Sequence, residues 1–220
     1  MSGKITKFAE EMKQKFFLLA LMALLSGFVL AQKPAEVLDK MTQRLTAGAV
    51  TSNYMLSSRE NPKAQMMVFR GKATMLGNKF LIEMENGRIG FNGKTQWVYN
   101  PDDKEVTLTE PTAEEVRQLN PLAMIADYRK NCNIIFSVTE KDQNLHVVEF
   151  YPKDKFSDLK CLTVYINKAS FVPARIILTK HTGSYAEVKF TGVKTAQSVD
   201  SKIFNFDKSR FPDAEINDLR

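Results

Sequence analysis

The stretch Phe91-Asn92-Gly93-Lys94-Thr95-Gln96-Trp97-Val98-Tyr99-Asn100-Pro101 decides the fold class of this chain. Asn92-Gly93-Lys94 reads as a turn, because glycine takes φ > 0 at no steric cost and asparagine comes close to doing so. Thr95 to Tyr99 then alternates, with Trp97 and Tyr99 on one face and Gln96 and Val98 on the other. Asn100-Pro101-Asp102-Asp103 closes the strand, since proline fixes φ and Asx side chains cap turns. Glu105 to Thr109 follows, with Val106 and Leu108 together. Trp97 and Tyr99 are therefore expected side by side on the inside of a sheet of short antiparallel strands.

The same period of two runs outward in both directions. Tyr54 to Arg59 reads as a strand. In Met66 to Leu76, Met67, Phe69, Gly71, Ala73 and Met75 share a face, and Val68, Arg70, Lys72 and Thr74 share the other. After the Gly77-Asn78 turn, Phe80, Ile82 and Met84 alternate with Leu81, Glu83 and Glu85. Downstream, Asn133 to Thr139, Leu145 to Tyr151, Leu162 to Asn167, Ala174 to Lys180 and Tyr185 to Val193 repeat the pattern, Lys202 to Phe206 is the last apolar element, and Asp207 to Arg220 reads as a polar tail. About ten or eleven strands are expected, enough that the sheet should curl or close. Two stretches break the period. Pro34 to Leu45 places Val37, Leu38, Met41 and Leu45 on one helical face and ends at Gly48. Pro111 to Arg129 opens with the capping box Thr112-x-x-Glu115, breaks at Asn120-Pro121 and restarts with Leu122, Ile125 and Ala126. The expected class is mainly β with helices (α+β).

Charge and motifs narrow the function classes. The 220 residues are 44% hydrophobic and 25% charged, an ordinary globular composition, with a net charge of +6. The basic residues are scattered and not interleaved with aromatics, which speaks against nucleic acid. His146 and His181 lie in strand-like runs without a second ligand nearby, and no nucleophile, phosphate or metal motif occurs. No metal, no cofactor and no enzymatic activity are expected. Lys13 and Lys15, the apolar run Phe16 to Leu25 and Val29-Leu30-Ala31 read as a secretory signal, cleaved before Gln32. Residues 1–31 are thus an extension plus signal peptide, with Met1 and Met12 both open as the start, and residues 32–220 form a single domain with a net charge of +4. The absence of a cysteine after the signal argues that the exported chain carries no lipid of its own and is expected to be soluble in the periplasm, or secreted. Cys132 and Cys161 begin strands separated by one other, about 10 Å apart across two spacings. That exceeds the ~7 Å reach of a disulfide, yet an oxidising compartment would permit one, and the pairing stays open.

Gly93-Lys94 followed by Trp97-Val98-Tyr99-Asn100-Pro101 resembles the marker of the periplasmic lipoprotein carriers, the LolA family. Phe69-Arg70-Gly71-Lys72, Gly77-Asn78-Lys79-Phe80, Asn120-Pro121-Leu122, Leu162 to Ile166, Pro173-Ala174-Arg175 and Phe204-Asn205-Phe206 resemble other parts of the family. The resemblance implies an incomplete antiparallel β-barrel closed by lid helices on its concave side. It implies a chaperone that shields the acyl chains of lipoproteins in a hydrophobic cavity. Such a chaperone takes them from an inner-membrane ABC-type releasing complex to an outer-membrane receptor. A monomer is expected.

Under that resemblance Met67, Phe69, Phe80, Ile82, Met84, Trp97 and Tyr99 are expected to line the acyl site, and Val37, Leu38, Met41, Leu122 and Ile125 to form the lid. The alternative is an envelope lipid- or lipoprotein-binding sensor on the same fold. One departure stands out. Where the family places a lid-holding arginine before a proline, this chain reads Met75-Leu76-Gly77-Asn78, and the nearest cation is Lys79. An ammonium cannot reproduce a guanidinium fork.

Overall fold

The alternating stretches fold into one open sheet of twelve strands. The computed structural model describes residues 32–119 and 121–220, so the secretory segment expected over residues 1–31 lies outside it. The strands are β1 (Ala49–Arg59), β2 (Met67–Leu76), β3 (Lys79–Met84), β4 (Gly87–Phe91), β5 (Gln96–Asn100), β6 (Glu105–Thr109), β7 (Cys132–Phe136), β8 (Leu145–Pro152), β9 (Leu159–Asn167), β10 (Pro173–Lys180), β11 (Tyr185–Gln197) and β12 (Glu215–Asp218). Their order is β12-β6-β5-β4-β3-β2-β1-β11-β10-β9-β8-β7. Every pairing is antiparallel except β12 with β6. The twelfth strand comes from the stretch expected to be a polar tail. Its Ile216 packs against the neighbouring core, and Glu215 N–H donates to Lys104 O at 2.8 Å.

Among the described residues three α-helices accompany the sheet: α1 (Pro34–Thr46), α2 (Ala113–Leu119) and α3 (Pro121–Asn131). The capping box ahead of α2 is formed as its spacing predicts. Thr112 N–H donates to Glu115 Oε2 at 2.8 Å, and Glu115 N–H donates to Thr112 Oγ1 at 3.3 Å. The bonds from Thr112 hold the Glu115 carboxyl below its ordinary range. The Asn92 turn is also built locally. Gly93 sits at φ 102°, and Asn92 Oδ1 accepts from Lys94 N–H at 3.0 Å and Thr95 N–H at 2.9 Å.

Two cores form, on opposite faces of the sheet. On the face called inner here, Val37, Leu38, Met41 and Leu45 of α1 and Ile125 of α3 bury Val148, Phe150, Leu162, Val164, Ile166 and Ile176. On the outer face, the segment after β11 brings Phe204 and Phe211 over Leu81, Trp97, Val106 and Leu108. Facing partners in a ladder point the same way, so the register decides the sides. Val50 pairs with Met75, Met75 with Phe80, and Phe80 with Phe91, all inner. Gly90 pairs with Leu81 and with Trp97, and Trp97 with Leu108, all outer.

The same parity settles the cysteines. Cys132 lies two residues before Ile134, which pairs with Phe150 on the inner face, and Cys161 lies next to Leu162, which also pairs with Phe150. The two thiols therefore point to opposite faces, and both are free.

Candidate functional site

The inner face is largely apolar up to Val98 and turns polar at Glu105, Thr107 and Thr109 of β6, and its cover changes along the sheet. Over β8 and β9 it is sealed by α1 and α3, with Val148, Phe150, Leu162, Val164 and Ile166 all buried. Over β1 to β5 most of it is only half-buried: Tyr54, Leu56, Phe69, Met75, Ile82, Met84, Ile89 and Val98. Met67 is 48% exposed. The registers Leu56–Phe69, Gly71–Met84, Ala73–Ile82, Ile82–Ile89 and Ile89–Val98 make these side chains one continuous strip. The strip spans four strand spacings, about 19 Å. A half-exposed apolar strip of this breadth, continuous with a sealed core, marks a surface built to meet something apolar. The methionines suit a varied partner, because their side chains are flexible and polarisable.

Of the residues expected to line an acyl site, the register brings Met67, Phe69, Phe80, Ile82 and Met84 together on the inner face. Phe80 differs from the other four. It is 1% exposed and its ring packs on Phe91 with centroids 5.4 Å apart, so it supports the strip from within. Trp97 and Tyr99 are on the opposite face, and their expected place in the wall is corrected. Trp97 is fully buried by the C-terminal segment and its Nε1–H donates to Phe204 O at 3.0 Å; the Tyr99 ring lies 4.6 Å from that of Phe211. Phe80 and Leu81 lie on opposite faces of β3 and are both buried, so alternation alone did not tell which face the helices cover.

The residues expected to form the lid lie over the sealed half. Val37, Leu38 and Met41 are fully buried and Ile125 is 3% exposed. Leu122 belongs to the first turn of α3, and its side chain lies outside the described residues. Leu56, Ile89 and Val98 were not singled out from the sequence. Their signal was the register across β1 to β5, which no single strand carries.

The electrostatics of the two faces contrast. On the outer face of β9 to β11, the Arg175 guanidinium lies 3.7 Å from the Tyr165 ring centroid and reaches Glu187 at 3.4 Å and Glu140 at 3.7 Å. Burial, and then the 2.6 Å bond from the Tyr165 hydroxyl to Glu140, push the Tyr165 phenol up to about 12. The inner strip offers no comparable charged network among the described residues. One ion pair joins the covering helices: Arg129 Nη2 of α3 lies 2.7 Å from Asp39 Oδ1 of α1. Among the described residues, no group of three or more His, Cys, Asp or Glu side chains is placed to hold a metal ion. No described helix is long and apolar enough to cross a membrane.

Comparison with known proteins agrees with this architecture. The family described as outer membrane lipoprotein carrier protein LolA matches residues 77–207. An outer-membrane lipoprotein carrier protein of Azotobacter vinelandii is 25% identical over 192 residues, covering 83% of this chain and 91% of its own. Among solved structures, an uncharacterised conserved protein from Thermus thermophilus superimposes with a TM-score of 0.53 at 13% identity, over 84% of this chain and 98% of its own. That likeness shows a shared fold. A LolA superfamily protein from Nitrosomonas europaea gives a TM-score of 0.43 at 14% identity, over 80% of this chain and 99% of its own.

Proposed function

The chain belongs to the LolA family of outer membrane lipoprotein carrier proteins, and from that premise we propose that it carries acylated lipoproteins across the periplasm with their acyl chains laid on the half-open inner strip of β1 to β5. The observation that supports this reading is the change of cover along one apolar face: sealed under α1 and α3, half-open beside them. Each acyl CH₂ taken out of water there contributes about 0.8 kcal/mol. Met67, Phe69, Ile82 and Met84 meet the chains, and Phe80 backs them.

In the same reading α1 and α3 are the lid, with Val37, Leu38, Met41 and Ile125 on its underside. Lid movement widens the strip when cargo enters and narrows it when cargo leaves. With no arginine at positions 75–78, the Asp39–Arg129 pair is the contact that holds the two helices to each other. Cargo comes from an inner-membrane ABC-type releasing complex and passes to an outer-membrane acceptor. Transfer needs only a downhill order of affinities, so no catalytic group is required.

The test is release. Spheroplasts holding newly made lipoproteins are incubated with the exported protein, and the supernatant is run on gel filtration. A soluble one-to-one complex whose formation needs cellular energy is the expected result. Lipoproteins that stay on the spheroplasts, while the protein elutes alone or with free lipid, would refute carriage.

A further inference from the structure

We propose that the β8–β9 turn is a membrane-docking tip, in which Phe156 enters the headgroup region of an anionic phospholipid bilayer while Lys130, Lys153, Lys155 and Lys160 face its phosphates. Phe156 is 94% exposed, against 39–48% for Met66, Met67 and Val68. A phenylalanine left so far in water forgoes the burial that normally places this side chain inside.

The exposure is built by the turn itself. Asp154 Oδ1 accepts from Phe156 N–H at 2.9 Å, Asp154 O accepts from Ser157 N–H at 3.3 Å, and Ser157 Oγ accepts from Leu159 N–H at 3.2 Å. Both ends are anchored. Lys153 N–H donates to Asn131 O at 2.9 Å, His181 N–H donates to Asp158 O at 3.0 Å, and Leu159 is buried. The ring is therefore held outward before anything binds, and docking costs little ordering.

The surroundings select the partner. Lys130, Lys153, Lys155 and Lys160 are all exposed. The acidic groups of the turn are Asp154 and Asp158, and the Asp154 carboxylate is engaged in holding Phe156. One aromatic among lysines is the pattern of an interfacial anchor, where the ring sits at the acyl boundary and the ammonium groups at phosphate level. A protein partner would select against lysine around its central contact. The tip is also tied to the end of α3, since Lys153 Nζ donates to Lys130 O at 3.0 Å. Docking would thus bring a helix over the inner face close to the bilayer.

The tip can be tested without any lipoprotein, so its failure and that of the carrier reading are distinguishable. Phe156→Trp is made in the full chain, which is exported and recovered from the periplasmic fraction. The native Trp97 is the only other indole and is fully buried, which gives a constant background. Vesicles of phosphatidylcholine, alone or mixed with phosphatidylglycerol, are added with and without brominated acyl chains. The expected result is a blue shift and bromine quenching of the new indole on the mixed vesicles, reversed by salt. Phe156→Ser should lose co-sedimentation, and Lys155→Ala should weaken partitioning about fivefold. An indole that stays unquenched on both vesicles overturns the proposal, and so does co-sedimentation unchanged by Phe156→Ser. Equal quenching on the neutral vesicles overturns the role given to the lysines.

Discussion

The Trp97 indole lies flat on Gly90: a Cβ built on that glycine would stand 2.2 Å from Trp97 Cε2 and 2.3 Å from Nε1. The two residues are direct partners across β4 and β5. Only a residue without a side chain lets the ring lie there, under Phe206 at 6.4 Å and Phe211 at 5.5 Å between centroids. The single tryptophan is thus the anchor of the outer core. Gly90→Ala should cost about 1–3 kcal/mol by pushing the ring off its bed, and Trp97→Ala about 3–5 kcal/mol. Urea denaturation measures both. Folded Trp97→Ala protein should still take up cargo as wild type does; loss of uptake at full folding would place Trp97 in the site after all.

Charge placed on the inner strip separates the binding surface from its support. Ile82→Asp and Met84→Asp fall on half-buried positions. They should leave the melting curve within about 1 kcal/mol of wild type and lower lipoprotein capture at least about tenfold. Phe80→Glu should behave otherwise, because it buries a charge at a position that is 1% exposed. Its circular dichroism melt should shift strongly downward. A well-folded Phe80→Glu protein would mean that this ring has room to move aside.

The Asp39–Arg129 pair is partly exposed on both sides, so its worth in stability is about 0–1 kcal/mol. A lid equilibrium responds to so small a change by at most about fivefold. Asp39→Asn should therefore speed dissociation of bound lipoprotein by up to about fivefold while hardly moving the urea midpoint. The exchanged pair, Asp39→Arg with Arg129→Asp, should restore slow dissociation. Stopped-flow release from a fluorescently labelled cargo reads all three, and identical rates would leave the pair no part in closure.

His146 gives the inner core a pH dependence. Its ring sits between Phe136 at 5.8 Å and Phe171 at 6.1 Å, and Lys40 lies 4.9 Å from the Phe171 ring. Burial first, then the charges of Lys168 and Lys40, hold its pKa below the ordinary 6.5. The unfolded chain therefore takes up the proton before the folded one. The contribution to stability is full above the unfolded value and is lost as pH falls through the lower folded value. Tm should drop between about pH 7 and pH 5, and His146→Gln should flatten that part of the curve. Equal slopes for the two proteins would exclude the histidine as the cause.

How much of this was legible in the sequence depended on how local the cause was. The Thr112–Glu115 box, the Asn92-Gly93 turn, the amphipathic α1 and the alternation of each strand rest on residues within a few positions of each other, and all are present. So is the shared face of Met67, Phe69, Phe80, Ile82 and Met84, because β2 and β3 meet through a tight turn that transmits the register.

Sidedness was not local. Alternation says that Trp97 and Phe80 belong to definite faces of their strands, but not which face the helices cover. Both faces of β3 carry large apolar side chains, Phe80 on one and Leu81 on the other, so the choice falls to whatever arrives from far along the chain. Phe204 and Phe211 arrive on one side, more than a hundred residues after Trp97, and Trp97 is drawn into that core. The twelfth strand has the same origin: Glu215–Asp218 is too polar to read as a strand, and it pairs with the edge that β6 offers, its half-buried Ile216 packed on the outer core. Residue types and their spacing determined the strands, the caps and the presence of an apolar face. Long-range packing determined which aromatics stand on that face and which half of it stays open, because burial is a property of neighbours that meet only after the chain has folded.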